Sequence, residues 1–366
     1  MKTTILVLGG YGGVGRALCH RLLQQFDCKL IIAGRSVSKA ENFRLQLLEK
    51  YPAACIEVRK ADAYDADTLR VAFQGVQLVI VTTTTPDAMP IIAPVAFACG
   101  ADLMDIMVRA DVLQHLDTLR AQIEASGRIA ITQCGFHPGL MRPLIELAKA
   151  HFETCQEAKV LMAMDAIFEH PESVYEILYE VMENRSLLLE KGRWRNATYK
   201  DLVEGNFSMA FGTRECYPLP MPELQGLEAA GDLRNAGVFA AGFGAYIDYF
   251  VFPLALLLGK INKRFSLRLC GKLMFNHIKK NLGKTPRVEI LVKASGVTKG
   301  KTDKYCFQIF AQNGFDFTAA AVSICVAQYL NVQIVRPGLY LMGQIIEAQK
   351  VEKQLKDLGY PIVACT

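Results

Sequence analysis

A glycine-rich turn near the N-terminus is the pattern with the most specific chemistry in the sequence. Six consecutive residues fit the spacing G-x-G-x-x-G: Gly10, Tyr11, Gly12, Gly13, Val14 and Gly15. In this pattern the first glycine permits a tight turn, the second lets the backbone approach a pyrophosphate, and the third lets a helix pack closely on its strand. The N–H groups at the positive end of that helix then bind the phosphates. We therefore predict a dinucleotide-binding turn.

A basic residue occupies the position that distinguishes the two nicotinamide dinucleotides. Arg35 lies twenty residues after Gly15, about where an NAD-binding protein places an acidic residue on the ribose hydroxyls. An arginine there instead pairs with a 2′-phosphate, and Ser36 and Lys39 are further candidate partners of that phosphate. We therefore predict NADP in preference to NAD. The competing interpretation is that Arg35 is an ordinary surface arginine.

Two later loops are candidates for the remainder of the dinucleotide site. Asp62 and Ala63 follow the third predicted strand, where they would contact the adenine. Thr84, Thr85 and Pro86 follow the fourth predicted strand, on the side where the ribose and nicotinamide would lie. Ordinary loop chemistry explains the second loop equally well, and an acidic loop residue such as Asp62 is common without a role.

Three residues are candidates for the reaction itself. His137 lies in a Pro-Gly turn expected to face a cleft between two domains, as an acid–base group or as a turn residue that bonds to backbone. Asp105 ends a predicted strand at the edge where ligands usually bind, as a catalytic carboxylate or as a structural loop cap. Arg109 would anchor an anionic substrate or form a surface ion pair. No zinc-ligand spacing accompanies them, so we predict no metal site.

The elements that must position these residues alternate between short apolar runs and helical patterns. Six strands are predicted, at Thr4–Leu8, Lys29–Ala33, Cys55–Arg59, Leu78–Thr82, Asp102–Asp105 and Ile129–Thr132. Strands separated by helical crossovers are typical of a doubly wound parallel sheet, that is, an α/β Rossmann fold. We therefore predict a Rossmann domain over residues 1–135.

The pattern changes after Gly139 and predicts an inserted α+β domain over residues 136–329. Arg287–Val297 and Tyr305–Ala311 are β-rich and joined by the polar segment Thr298–Asp303, which predicts an antiparallel hairpin. Phe317–Gln328 and Gly343–Leu358 are predicted helices, and the last helices, from about residue 330 to 366, would return to the first domain.

The segment Tyr249–Val288 contains no Asp or Glu, an apolar run at Phe250–Leu258, and eight lysines and arginines between Lys260 and Lys284. The apolar run is about half the length that spans a bilayer. A basic helix with an apolar face could lie on an anionic membrane surface. We favour two other interpretations over the membrane-surface helix: a subunit interface, or a packed helix with a solvated basic face.

Composition narrows the class of protein. With 366 residues, two domains are expected, and the net charge of +5 without a nucleic-acid-binding motif predicts no nucleic acid partner. Eleven cysteines, an odd number with no C-x-x-C pair, and an N-terminus that lacks a signal-peptide pattern predict a reducing, cytoplasmic location. The positive mean hydropathy, +0.19, and the apolar surplus predict a homodimer.

At these residues the sequence resembles the saccharopine dehydrogenase-like (saccharopine reductase) family. Four segments carry the resemblance: Leu6–Gly15, Ala33–Ser36, Gly100–Asp105 and Cys134–Leu140. The resemblance implies a Rossmann domain, an inserted α+β domain, a pyridine nucleotide and redox chemistry at an amine–imine centre. The sequence departs from the family where Arg109 replaces a glutamate and His137 replaces an acidic residue before Pro-Gly.

The leading hypothesis is therefore an NADP-dependent oxidoreductase that transfers hydride to or from a C–N or C=O centre of a small substrate. The rival, which the departures at Arg109 and His137 favour, is a non-catalytic nucleotide-binding regulatory or scaffold protein, with membrane association as one form of it. A third hypothesis, an atypical short-chain or epimerase-like enzyme, conflicts with the lack of a Tyr-x-x-x-Lys pair after the fifth strand.

Overall fold

The computed structural model describes residues 2–165, 167, 171–183, 186–198, 200–208, 210–281, 286–331 and 336–365. They form two compact units. The first comprises Met1–Leu140 and Phe315–Glu347, and the second comprises Met141–Gly314 and Ala348–Thr366. Among the described residues, no helix is both long enough and apolar enough to cross a membrane.

The first part of the chain alternates strands and helices as expected. The strands are β1 (Thr3–Leu8), β2 (Cys28–Gly34), β3 (Cys55–Lys60), β4 (Leu78–Val81), β5 (Asp102–Asp105) and β6 (Ile129–Thr132). The helices are α1 (Gly13–Gln25), α2 (Val37–Lys50), α3 (Ala66–Phe73), α4 (Met89–Ala98), α5 (Ala110–Thr118) and α6 (Arg120–Ala125). All six predicted strands are present, with ends shifted by one residue at most.

The middle of the chain builds the second unit. Its helices are α7 (Met141–Lys149), α8 (Pro171–Glu183), α9 (Phe252–Gly259) and α10 (Lys263–Ile278). Its strands are β7 (Thr154–Met164), β8 (Leu187–Glu190), β9 (Arg193–Asn196), β10 (Val203–Asn206), β11 (Thr213–Pro218), β12 (Asn235–Ala241), β13 (Val288–Thr298) and β14 (Lys301–Ala311). The chain ends with α11 (Gly314–Leu330), β15 (Gly338–Leu341), α12 (Met342–Ile345), α13 (Ala348–Asp357) and β16 (Val363–Ala364).

The first unit is a seven-stranded parallel sheet with the order β15-β6-β5-β4-β1-β2-β3. The strand order reverses between β1 and β4, which pair in parallel from Ile5–Leu78 to Leu8–Val81. In such sheets ligands bind outside the carboxyl ends of the strands at this reversal. The apolar side chains of β1, β2 and β4 are fully buried, so the ends of these strands are held rigidly. The predicted Rossmann fold is confirmed.

The seventh strand, β15, was not predicted. Its four residues pair in parallel with β6, from Gly338–Ile129 to Leu341–Thr132. A run this short carries no periodicity of its own, so its identity as a strand depends on its partner.

The two units divide the chain differently from the expected boundaries of 1–135 and 136–329. Residues 315–329 lie in the first unit because Asp316 pairs with Arg21 of α1 and Phe317 stacks on Phe136, with ring centroids 5.0 Å apart. Beyond residue 330, β15 and α12 belong to the first unit, whereas α13 packs against α7 in the second. The tail predicted as one helix over Gly343–Leu358 is two helices, α12 and α13.

The second unit contains a mixed sheet with the order β10-β11-β12-β7-β13-β14-β16, to which β8 and β9 are attached through β12. The predicted hairpin is present as β13 and β14, but its turn is only Lys299 and Gly300, with φ of +52° and +71°. Positive φ at both positions is typical of a two-residue hairpin turn. The flanking polar residues that suggested a longer turn are strand residues instead, paired from Thr298–Lys301 to Gly296–Asp303. A disulfide between Cys306 and Cys365 fastens the C-terminal segment to β14.

Candidate functional site

The turn between β1 and α1 has the close backbone packing that its glycines predict. The Gly9 N–H donates to the Ala33 carbonyl oxygen at 2.8 Å, with φ of +85° at Gly9. A Cβ on Gly15 would lie 2.2 Å from the Gly9 carbonyl oxygen and 2.8 Å from the Gly10 Cα. Because both neighbours are backbone atoms, no rotamer change relieves that clash. Gly15 therefore lets α1 start directly against the turn.

The start of α1 fits a dinucleotide pyrophosphate. Gly12 precedes the helix without a side-chain cap, and the first turn of α1 holds no acidic residue, so no carboxylate of that turn offsets its positive end. The Gly12 N–H donates to the Gly9 carbonyl at 2.9 Å. Gly12 and Gly13 are exposed, and Val14 is half-buried, which leaves their backbone open to a ligand. The cradle that the pattern predicts is therefore formed by this chain's own backbone.

Arg35 extends from the end of β2 as an exposed side chain without an ion-pair partner among the described residues. Lys39, in the first turn of α2, is likewise exposed. Ser36 is the N-cap of α2, and its hydroxyl accepts a weak hydrogen bond from the Lys39 N–H at 3.4 Å. Two exposed cations beside a helix start, neither of them with an ion-pair partner in the described part of the chain, suit a phosphate monoester.

Tyr11 connects this phosphate-binding region to the glycine turn. The Ser36 N–H donates to the Tyr11 hydroxyl at 3.0 Å, and a Cβ on Gly34 would lie 2.6 Å from the Tyr11 ring. The carbonyl of Tyr11 accepts a hydrogen bond from Arg16 Nε at 2.9 Å. The ring therefore fixes the distance between the turn that would bind the pyrophosphate and the residues that would bind the 2′-phosphate.

The loops after β3 and β4 differ in what they offer a ligand. Asp62 accepts a hydrogen bond from the Tyr64 N–H at 3.1 Å, and Ala63 is part of the buried core, so both have structural roles. Thr84 is exposed, Thr85 shares a hydrogen bond with the Thr83 hydroxyl at 2.7 Å, and buried Pro86 begins a short 3₁₀ helix. Contacts of these loops with adenine or ribose remain predictions.

The loop after β4 touches the glycine turn. Thr82 donates its hydroxyl hydrogen to the Leu8 carbonyl at 2.9 Å, and a Cβ on Gly9 would lie 2.7 Å from the Thr83 methyl group. The loops that follow the two strands at the reversal of strand order are therefore packed on each other. This contact joins the predicted nicotinamide side of the site to its phosphate side.

Asp105 is fully buried between the ends of β5 and β6. Its Oδ1 accepts hydrogen bonds from the Met107 N–H at 2.9 Å and the Thr132 hydroxyl at 3.0 Å, while its Oδ2 has no partner among the described residues. Burial raises the pKa of Asp105 to about 6, although its hydrogen bonds oppose that shift. Burial therefore favours the neutral form of this carboxyl below about pH 6.

His137 lies in a tight turn that brings Gly139 back onto Gly135. A Cβ on Gly139 would lie 2.3 Å from the Gly135 carbonyl oxygen, and the His137–Pro138 peptide bond is cis. The His137 Nε2 is shielded from solvent and has no hydrogen-bond partner among the described residues. Burial lowers the pKa of His137 to about 4, so its imidazole is neutral at pH 7.

Arg109 is paired with two carboxylates. Its guanidinium lies 2.8 Å from the Asp87 carboxylate and also forms a two-pronged hydrogen bond with Asp111. Partial burial lowers the pKa of Arg109, but the hydrogen bonds to Asp111 and Asp87 have the larger effect and raise it above its usual value. The guanidinium charge is thus already matched, which favours a role in positioning the loop over one in anchoring an anion.

Four residues near this site escaped the sequence analysis. Gly9 makes the turn itself, and Arg16 fixes it by bonding to Tyr11 while stacking 4.4 Å from the Phe43 ring centroid. The Phe315 ring lies 3.5 Å from where a Cβ on Gly13 would stand. Gln133 has φ of +60° and a buried Oε1 without a partner among the described residues. Only Gly9, which directly precedes the motif, was within reach of sequence reasoning.

The sequence-predicted residues therefore form two groups at the carboxyl edge of one sheet. The glycine turn, Ser36 and the loop after β4 are linked by direct contacts, and Arg35 directly precedes Ser36 in the chain. Asp105 and the turn that contains His137 follow the neighbouring strands β5 and β6, and the Cys134 N–H donates to the Asp105 carbonyl at 2.8 Å. Among the described residues, no three His, Cys, Asp or Glu side chains group to hold a metal ion.

Comparisons with known proteins agree with this geometry. Residues 5–131 match the family model of the saccharopine dehydrogenase NADP-binding domain. Apo saccharopine dehydrogenase (L-Glu forming) from Saccharomyces cerevisiae has a similar structure, with 13% identity, 99% of each chain covered and a TM-score of 0.69. A mutant meso-DAP dehydrogenase from Clostridium tetani E88, solved with DAP, has 14% identity, covers 97% of this chain and 99% of its own, and gives a TM-score of 0.51.

An engineered D-amino acid dehydrogenase bound to NADP⁺ also has a similar structure, with 14% identity, 94% of each chain covered and a TM-score of 0.50. No curated protein matches the sequence. At these identities the solved structures show a shared fold alone, and they confirm the two-domain architecture. The family match confirms the predicted resemblance, an NADP-binding domain and an NAD(P)-dependent oxidoreductase class.

Proposed function

We propose that this chain, whose first domain belongs to the saccharopine dehydrogenase NADP-binding family, transfers hydride between NADP(H) and the C–N centre of a small amine or imine. A C=O centre is the second form of the same chemistry. The observation that carries the proposal is the pairing of two features: the start of α1, which has no side-chain cap and no acidic residue in its first turn, and Arg35 at the end of β2, which has no ion-pair partner among the described residues. The first suits a pyrophosphate, and the second suits the 2′-phosphate that only NADP carries.

The proposed substrate class is an amino acid or a related primary amine. Each of the three solved structures described above is, by its name, a dehydrogenase of an amino acid or of saccharopine. When bound, NADPH supplies the hydride that reduces an imine carbon, and a proton completes the amine. The protein must therefore orient the substrate and manage that proton.

His137 is the proposed acid–base group. Its neutral imidazole has an Nε2 without a hydrogen-bond partner among the described residues, and we expect that atom to accept a substrate proton. In the direction of amine oxidation the neutral ring accepts a proton, and in the direction of reduction the ring returns it. Asp105 is the proposed second group. Its buried carboxyl accepts hydrogen bonds from the Met107 N–H and the Thr132 hydroxyl, and so positions both beside the loop that leads to His137.

Arg109 is the proposed contact of an anionic substrate group. Such a group would have to compete with the carboxylates of Asp87 and Asp111 for the guanidinium.

We also propose a cytoplasmic homodimer. The nine described cysteines that are free thiols support a reducing compartment, although Cys306 and Cys365 are joined. The positive mean hydropathy of +0.19 supports self-association.

The test is a screen for NADPH consumption with 2-oxo acids, each with and without ammonium, followed by His137→Gln on the best pair. We expect consumption that requires the amine donor, and a loss of kcat of roughly 100-fold or more in the variant, in the range that acid–base catalysis contributes. NADPH affinity should stay the same in the variant. Consumption without the amine donor would contradict the C–N centre, and an unchanged kcat in His137→Gln would contradict the role of His137.

A further inference from the structure

Exposed apolar side chains are concentrated in one short stretch of the second unit. Eight of the fifteen well-exposed large hydrophobic side chains among the described residues lie between Tyr246 and Leu269. Five of these are more than half exposed: Tyr249, Phe250, Leu257, Ile261 and Phe265, with Ile261 at 81%. Single exposed hydrophobics are ordinary, whereas a concentration of them marks an interaction surface.

The helices of this stretch already have a buried apolar core of their own. α8, α9, α10 and the π-helical turn Ile247–Val251 share a separate buried cluster, which includes Val174, Val251, Cys270 and Met274. The buried faces of these helices are therefore already filled. Leu257, Ile261 and Phe265 lie outside that cluster, whereas the Tyr249 hydroxyl donates to Glu215 at 2.8 Å and the Phe250 ring stacks on Tyr246.

The same stretch is basic. The sequence from Tyr249 to Val288 has no acidic residue. In α10 the four-residue spacing places Phe265 and Leu269 on one side, and Arg264 and Arg268 directly precede them. Lys260, Arg264, Arg268 and Lys272 are exposed, and none has an ion-pair partner among the described residues. Lys263 differs, because it pairs with Glu183.

We propose that this face, formed by residues 249–272, binds the surface of an anionic lipid bilayer. Apolar side chains enter the interface while adjacent lysine and arginine heads stay at the level of the lipid phosphates. The occupant is a membrane rather than a second copy of the chain, because a symmetric dimer brings the same surface of both subunits together. Such a dimer would set these unpaired cations against each other.

The test uses the full-length protein and sedimentation with vesicles, either of phosphatidylcholine alone or of phosphatidylcholine mixed with phosphatidylglycerol. The wild type should bind the mixed vesicles, and added salt should weaken that binding. Each cation near an anionic surface contributes about a fivefold factor to binding. Removing three cations together, Arg264→Gln, Arg268→Gln and Lys272→Gln, should therefore lower the vesicle partition coefficient on the order of 100-fold.

The apolar contribution is tested with Leu257→Gln, Ile261→Gln and Phe265→Gln, which should lower the partition coefficient at least about tenfold. The matched controls are Val71→Gln, an exposed apolar residue of the first unit, and the pair Lys353→Gln with Lys356→Gln in α13. The controls should bind vesicles like the wild type. NADPH affinity should be the same in all variants, so a failure here is distinct from a failure of the proposed function.

Three outcomes would overturn the proposal. The wild type fails to sediment with the mixed vesicles, or the apolar variant sediments as fully as the wild type does. In the third outcome, light scattering shows a wild-type dimer in the absence of lipid that the apolar variant converts to a monomer. The face would then be a contact between two copies of the chain.

Discussion

Two glycines in the turn after β1 should respond differently to the same added methyl group. In Gly15→Ala the new Cβ would lie 2.2 Å from the Gly9 carbonyl oxygen, about 0.8 Å inside the 3.0 Å limit that real Cβ atoms respect. In Gly12→Ala it would lie 3.2 Å from the same oxygen, which small shifts accommodate. Gly12 also has an extended backbone, with φ of −80°, that alanine adopts without strain.

The two variants therefore separate stability from binding. For Gly15→Ala, overpacking against fixed backbone costs about 1–3 kcal/mol, partly offset by the better helix propensity of alanine, about 1 kcal/mol. Because both close neighbours are backbone atoms, we expect the upper end of this range, a loss of about 2 kcal/mol in the free energy of unfolding, together with weak NADPH binding. For Gly12→Ala we expect stability within about 0.5 kcal/mol of the wild type.

Apart from the Gly9 oxygen, the added methyl group would have no described atom within 4 Å, and we expect it to occupy space that the pyrophosphate needs. Losing one hydrogen bond between a backbone N–H and a phosphate costs about 1.5–3 kcal/mol. The Kd for NADPH should therefore rise roughly 10- to 100-fold. Nicotinamide fluorescence gives the Kd, and thermal unfolding gives the stability. Wild-type affinity in Gly12→Ala would refute the claim that the pyrophosphate approaches this backbone, and wild-type stability in Gly15→Ala would refute the packing described for the turn.

Three further predictions follow from the same site. Because the folded pKa of Asp105 is raised to about 6 from 3.8, the unfolded chain loses this proton first. The wild type should therefore lose stability as pH rises from about 4 to about 6, by up to about 3 kcal/mol, and Asp105→Asn should lack that loss in denaturant titrations. Tyr11→Phe removes the bond to the Ser36 N–H and should weaken NADPH binding several-fold more than NADH binding, as two parallel titrations would show. Arg109→Ala should lower thermal stability and raise KM about equally for charged and uncharged substrates, since it leaves Asp87 and Asp111 unpaired; a KM increase confined to anionic substrates would instead show direct binding.

The sequence predicts the phosphate-binding part of the site well because that part is local. The glycine spacing from Gly10 to Gly15 encodes a turn whose requirements lie within a few residues, and Arg35 follows from the position that the fold assigns to it. The alternation of apolar strands and helices likewise predicts six of the seven strands. β15 is the exception, because only its pairing with β6 makes it a strand.

The parts that the sequence does not predict depend on contacts between distant residues. The bond between Tyr11 and Ser36 spans 25 positions, and the pairing of Arg21 with Asp316 spans 295. The contact between Arg21 and Asp316 holds α11 in the first unit. The apolar periodicity of α11 predicts a helix but does not indicate the unit to which the helix belongs. Asp105 likewise contacts Thr132 at the end of β6, 27 residues away, and the burial that raises its pKa comes from such distant neighbours. Burial and pairing of this kind follow from the tertiary structure alone.

The central claim, that this chain binds NADP through the turn after β1 and Arg35, is tested most directly by titration with NADPH and NADH in parallel. The control variants are Arg35→Ala and Arg70→Ala, the latter an exposed arginine of the same domain that pairs with Asp67. We expect tighter binding of NADPH in the wild type and in Arg70→Ala. In Arg35→Ala, NADPH affinity should fall roughly 10- to 100-fold towards that of NADH, the cost of one lost bond to a charged phosphate. Equal affinity for the two dinucleotides in the wild type, or no binding of either, would contradict the account.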